Sequence, residues 1–192
     1  MSERKTDRRT AYTKELIKST VLDLMKKKEF VKISVTTICQ IAEINRGTFY
    51  LHYCDVYAVL DELITDMMGE TTPLVDHIMC DNRTQGKCTY PFCARIQNET
   101  KYQVLFLDES ISSILVDKIA DAGKEGFITW IMKHSLLTFE EAEAVYYFQI
   151  NGCLSINRQA LKNKSTNWKA IQVTIDCFIK AGLESFIIPD RR

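Results

Sequence analysis

The sequence holds few of the residues that interrupt helices. Three prolines and seven glycines are spread over 192 residues, and the apolar positions recur at helical spacing, so an all-α fold is expected. No stretch approaches the roughly eighteen consecutive apolar residues of a membrane span. The charged start, MSERKTDRRTAYTKE, has no apolar run behind it and is not expected to act as a signal peptide. Histidine is scarce: His52, His77 and His134 stand far apart. No HExxH, phosphate-loop or Ser/His/Asp pattern occurs, so neither an enzyme nor a cofactor is expected. Seven cysteines are an odd, scattered set without a Cys-x-x-Cys pair. They are expected to be mostly reduced thiols in a cytoplasmic protein.

Net charge is absent as well, with 25 basic and 25 acidic side chains. Its distribution is uneven. Residues 1–53 carry 11 Lys+Arg against 6 Asp+Glu, and residues 54–192 carry 14 against 19. A basic front on an acidic body suggests that the front alone meets a polyanion. A hydrophobic content of 46% is enough for a real core.

A helix is expected over about residues 10–28, with Ile17, Val21 and Leu24 on one stripe and lysines on the solvated faces. Ser34 then reads as the N-cap of a short helix with Ile38, Ile41 and Ala42 inward. Asn45 reads as the N-cap of a third short helix, carrying Thr48, Phe49, Tyr50 and His52. Two short helices joined by a tight turn after a longer one make a helix-turn-helix. In such a unit Arg46 can form a bidentate contact with guanine or a phosphate. Gly47 lets the backbone approach closely, Thr48 and Tyr50 offer hydroxyls, and Phe49 turns inward.

The pattern F-x-x-x-S-V-T-T-I-x-x-x-A-x-I-N-R-G-T-F-Y-L-H-Y, within about residues 10–65, resembles the DNA-binding domain of the TetR (tetracycline-repressor) family of bacterial regulators. The resemblance implies a homodimer whose paired N-terminal heads read a palindromic double-stranded operator. It also implies a C-terminal domain that binds a small-molecule effector and then releases DNA. By position, Thr36, Thr37, Asn45, Arg46, Gly47, Thr48, Tyr50 and His52 are the DNA-binding candidates, with Tyr50 and His52 on phosphates. Residues 1–54 would form the DNA-binding domain and residues 55–192 the effector-binding and dimerisation domain. Two departures stand out. Glu43 occupies a turn position where the family often has Gly, so the turn differs or Glu43 is left-handed. Val56 replaces a lysine that usually grips a phosphate, which should make the salt dependence shallower by roughly one unit.

Beyond the front, Asp55 is expected to cap a helix reaching about Met79. A polar loop follows over residues 80–91, where His77, Cys80, Cys88 and Cys93 are candidates for zinc binding or a thiol switch. The aromatic candidates for an effector cavity are Phe92, Tyr102, Phe106, Trp130 and Phe148, with ordinary core packing as the competing account. Helix breaks are expected near Leu107-Asp108 and at Gly123 and Gly126. Thr138 and Glu141 form a capping-box pattern ahead of a helix continuing to Lys162, and a last helix is expected over about residues 167–187. These two helices match the family's dimer bundle, with Ala144, Tyr147, Ile150, Gly152 and Leu154 as packing positions. The alternatives are a metal- or thiol-responsive regulator using the histidine–cysteine set, and a dimeric adaptor that does not bind DNA.

Overall fold

The computed structural model describes residues 3–69, 96, 100–164 and 167–188, with side chains from residue 8 onward. Its elements are α1 (Glu3–Met25), α2 (Val35–Ile41), α3 (Arg46–Tyr50), α4 (Val56–Met68), α5 (Gln103–Leu107), α6 (Ser112–His134), α7 (Phe139–Lys162) and α8 (Trp168–Glu184). Single 3-10 turns occupy Phe30–Lys32, Thr100–Tyr102 and Glu109–Ile111. Among the described residues there is no strand, only an isolated bridge between Ser135 and Ile187. The all-α expectation therefore holds.

The chain divides into two compact units, one of Met1–Gly69 with Lys101–Ser113 and one of Glu70–Thr100 with Ile114–Arg192. In the first unit α1 packs on α2, α4 and α5, and α2 packs on α3. Ile17, Val21, Phe30, Ile38, Phe49, Val59, Leu60, Leu63 and Ile64 are buried in its core. Helix α1 starts earlier and stops sooner than its apolar stripe suggests. Helix α4 is capped by Asp55, whose carboxylate accepts from the Ala58 N–H at 2.8 Å. It ends at Met68, where Gly69 turns the backbone to φ 63°; residues 70–79 of the expected helix lie outside the described residues.

Lys18 departs from the solvated-face expectation. It is buried at 6% exposure, and its ammonium meets Glu15 and Asp66 at 2.5 Å each and Glu62 at 3.4 Å. Lys14 meets the other oxygen of Glu62 at 2.6 Å. This cluster joins α1 to α4. Burial alone would lower the Lys18 pKa, but the hydrogen bonds and charges of Asp66 and Glu15 outweigh it and raise the value. Burial likewise pushes Glu62 up, and Lys14 and Lys18 overcome it, holding the carboxyl below its ordinary 4.5. A lowered carboxyl contributes stability above its unfolded pKa and loses it as pH falls through the folded value. Glu62→Gln should thus be less stable than wild type at neutral pH, and the gap should close below about pH 4.5. Urea midpoints measured against pH would check this; a gap that stays constant down to about pH 3 would contradict it.

One link ties the first unit to residues far along the chain. The Asp108 carboxylate accepts from the Phe30 N–H at 2.6 Å through Oδ2. Its Oδ1 accepts from the Ser110 N–H at 2.9 Å and the Ser110 hydroxyl at 2.6 Å. Asp108 and Phe30 are both buried.

In the second unit α6 runs unbroken through Gly123 and Gly126. Ile119, Ala120, Phe127, Ile128 and Ile131 are buried on either side of the two glycines, and this packing outweighs their poor helix propensity. The capping box at the start of α7 is present: the Thr138 N–H donates to Glu141 at 2.8 Å, and the Glu141 N–H donates to the Thr138 hydroxyl at 3.3 Å. Tyr146 anchors α7 in this core, its ring 5.2 Å from that of Phe127 and its hydroxyl donating to the Ala120 carbonyl. Burial, helped by Tyr147 and Asp121, pushes the Tyr146 phenol up to about 12. The inward row of α7 is Ala142, Tyr146, Ile150 and Leu154. Ile150 and Leu154 thus serve their own unit's core, while Ala144 and Gly152 are exposed. The Ile188 N–H donates to the His134 carbonyl at 3.0 Å, fixing the segment after α8 beside the α6–α7 turn.

Candidate nucleic-acid interface

Helices α2 and α3 are too short to persist alone, and each is held by its own cap and by burial. Ser34 Oγ accepts from the Thr37 N–H at 3.2 Å. Asn45 Oδ1 accepts from the Thr48 N–H at 2.7 Å and from the Thr48 hydroxyl at 3.1 Å. Both caps satisfy backbone donors that the first helical turn leaves open. Phe49 is fully buried, with ring centroids 5.6 Å from Tyr50 and 6.0 Å from Tyr53. Burying a side chain of this size contributes roughly 2 kcal/mol, which fixes which face of α3 remains outside.

The turn between α2 and α3 closes through the Ile44 N–H, which donates to the Cys39 carbonyl at 3.0 Å. Glu43 takes φ 52°. Of the two sequence expectations for this turn, the left-handed one is what the backbone adopts, at a cost of about 1–2 kcal/mol for a residue with a Cβ. Gly47 has a local reason to be glycine besides close approach. A Cβ there would lie 3.2 Å from Asn45 Oδ1, the capping acceptor.

With these bonds made, the outward chemistry can be read off. Arg46 is exposed; its Nη2 donates to the Tyr50 hydroxyl at 3.4 Å, and its guanidinium lies 6.0 Å from the Tyr50 ring centre. The pair sits one helical turn apart, so the ring steadies the guanidinium fork without burying it. Tyr50 is itself half-exposed. Thr36 is exposed, and Thr37 and His52 are partly so. The Thr37 hydroxyl is engaged with that of Ser34 at 2.9 Å. Asn45 commits its oxygen to the cap, which leaves its amino group outward. The arrangement offers a bidentate cation, an amide donor and hydroxyls on one short helix, a set suited to base edges and phosphate oxygens.

Two exposed apolar residues join this surface: Leu51, which was not singled out in the sequence, and Ile41, which was expected to face inward but points out of the short α2. Ile41 is 56% and Leu51 81% exposed, and side chains of this kind can pack on thymine methyl groups. Val56, by contrast, is buried and serves packing. The basic excess of the front is also partly spent internally. Lys14 and Lys18 face Glu62 and Asp66, and Lys26 and Lys32 pair with Asp23 and Glu29 at 2.7 Å each.

Tyr102 and Phe106 are buried in the first unit. In the second, Trp130 stacks on His134 with centroids 4.6 Å apart, and Phe148 is 74% exposed beside an apolar groove between α7 and α8. Phe92 and the set His77, Cys80, Cys88 and Cys93 lie outside the described residues. The described cysteines Cys39, Cys54, Cys153 and Cys177 are not joined in disulfides. No described helix is long and apolar enough to cross a membrane.

No family model matches the chain, and no curated protein matches it. Solved structures do. The dihydroxyacetone kinase operon activator DhaS is similar over 92% of this chain and 98% of its own, with a TM-score of 0.51 and 15% identity. A tetR-family transcriptional regulator from Streptomyces coelicolor is similar over 91% of this chain and 81% of its own, with a TM-score of 0.55 and 14% identity. At these identities the likeness is one of fold, and it extends well beyond the helix-turn-helix into the rest of the chain. The chain has the fold seen in tetR-family transcriptional regulators.

Proposed function

We propose that this protein is a homodimeric, sequence-specific DNA-binding regulator of transcription, with α3 entering the major groove. The observation that carries this reading is the division of labour within α3. Phe49 is fully buried, while Arg46 and Tyr50, joined to each other, stand exposed. A helix serving only the core would have no use for that outer pair. Thr36, Asn45, Gly47, Thr48 and His52 complete the proposed contact surface, with Thr37 contributing mainly to the cap of α2. Residues 1–54 are the proposed DNA-binding domain and residues 55–192 the effector and dimerisation domain, acting in the cytoplasm. The proposed operator is a palindrome, since paired heads related by a two-fold axis require one.

Repression relieved by a small-molecule effector is the proposed mode. One structural neighbour is named as an operon activator, which favours activation as the second reading; a reporter fused to the operator, with and without the regulator, decides between them. DNA binding itself is tested by titrating fragments from beside its own gene at several salt concentrations. Val56→Lys should steepen the slope of log affinity against log salt by about one unit per head. An unchanged slope, in a variant that keeps its helix content, would remove the proposed link between that position and a phosphate.

A further inference from the structure

The first unit carries more positive charge than its own fold uses. Lys14 and Lys18 are held by Glu62 and Asp66, and Lys26 and Lys32 by Asp23 and Glu29. Arg8 and Arg9 differ. Both are exposed, and among the described residues neither guanidinium has an ion-pair or hydrogen-bond partner. Tyr12, about one turn further along α1, is 71% exposed and adds a hydroxyl to the same side. From Arg8 to Leu16 no side chain of α1 is buried; the first is Ile17. Core packing therefore gives no reason for the helix to begin as early as it does.

Two ion pairs locate this end of α1. Lys14 meets Glu62 and Lys18 meets Asp66, each across 48 residues of sequence. The constant offset means that α1 and α4 run parallel and in register. Carried back along both helices, the same offset sets Arg8 level with Val56, the first residue of α4. The Lys14 ammonium also lies 5.3 Å from the ring centre of Tyr53, which directly follows His52. The unused arginines thus stand at the end of the unit where α3 gives way to α4. At that level α4 itself offers no cation, since Val56 is buried.

We propose that Arg8 and Arg9, with the Tyr12 hydroxyl beside them, hold phosphates of the duplex next to the stretch read by α3. The inference rests on the DNA-binding reading proposed above and adds to its contact surface an element outside the helix-turn-helix. The partner follows from the donors. Adjacent guanidinium groups, each a planar fork that stays charged, match the phosphate oxygens of a nucleic-acid strand. Contacts of this kind fix orientation on the duplex and carry no sequence information, so the pair adds affinity and not preference.

The test is titration of the full chain with fragments from beside its own gene, and with an unrelated duplex, at several salt concentrations. Arg8→Gln/Arg9→Gln should make the slope of log affinity against log salt shallower by about two units per head. Its ratio of preferred to unrelated affinity should stay that of wild type. Arg8→Lys/Arg9→Lys keeps both charges and should keep most of the slope. Circular dichroism checks folding, and helix content should not fall, because the side chains are exposed and make no contact that the fold relies on. A wild type that binds its preferred fragment with the same slope as the glutamine variant would overturn the arginine contacts and leave the α3 reading standing. A variant that loses the sequence preference along with the slope would overturn the phosphate assignment, because the arginines would then be reading base edges. A wild type that retains no DNA at low salt would overturn both.

Discussion

Arg46→Ala should lower affinity for the preferred DNA sequence by roughly 10- to 100-fold, the discrimination expected from one bidentate base contact. Affinity for unrelated DNA should fall much less. The side chain is exposed, and its described partners are the Tyr50 hydroxyl and ring, so its removal leaves the Phe49 anchor and the Asn45 cap in place. The loss should therefore appear in binding and not in folding. Competitive titration against an unrelated duplex at fixed salt separates the two terms. Arg46→Lys discriminates further, because lysine keeps the charge but not the planar fork. It should preserve most non-specific binding and little of the sequence preference. Equal losses on preferred and unrelated DNA would mean that Arg46 holds a phosphate instead.

Asp108→Ala should destabilise the first unit by about 3 kcal/mol, since it strands a buried N–H and breaks charge-assisted hydrogen bonds. The stranded donor is the N–H of Phe30, which now gives a 2.6 Å bond to the carboxylate. Phe30 begins the 3-10 turn that leads to Ser34, the cap of α2. Damage there should spread into the helix-turn-helix. Hydrogen exchange should show faster opening at Phe30 and across α2, with the amides of α7 unaffected. Asp108→Asn retains one carbonyl oxygen and should recover part of the loss. If both variants exchange like wild type, the Phe30–Asp108 bond contributes little to holding the head.

That bond also marks the limit of what could be read without coordinates. Ser34, Asn45, Asp55 and Thr138 were recognisable as caps because a cap is a local bargain between one side chain and a donor three residues on. Phe49 and the buried row of α4 were recognisable because helical periodicity is local too. Lys18 looked like one more solvated lysine, since Asp66, which draws it in, lies 48 residues away. Asp108 lies 78 residues from Phe30, and nothing in either neighbourhood announces the other. Tyr102 and Phe106 were candidates for an effector cavity with core packing as the competing account, and both are buried in the first unit. In α7 the helix was legible, but its rotation was not. Ile150 and Leu154 are as apolar as any interface residue, and only Tyr146 against Phe127 shows which side faces home. The proposed DNA-binding residues all lie on α2, α3 and the residues flanking them, because they sit within 17 residues of each other.

The most direct test of the account is selection from a pool of random duplexes by the purified full chain, followed by sequencing of the bound fraction. The account predicts enrichment of an inverted repeat whose half-sites are spaced by about one helical turn or a multiple of it, and loss of that enrichment in Arg46→Ala. A bound fraction with no sequence preference, or no retained DNA at low salt, would contradict it.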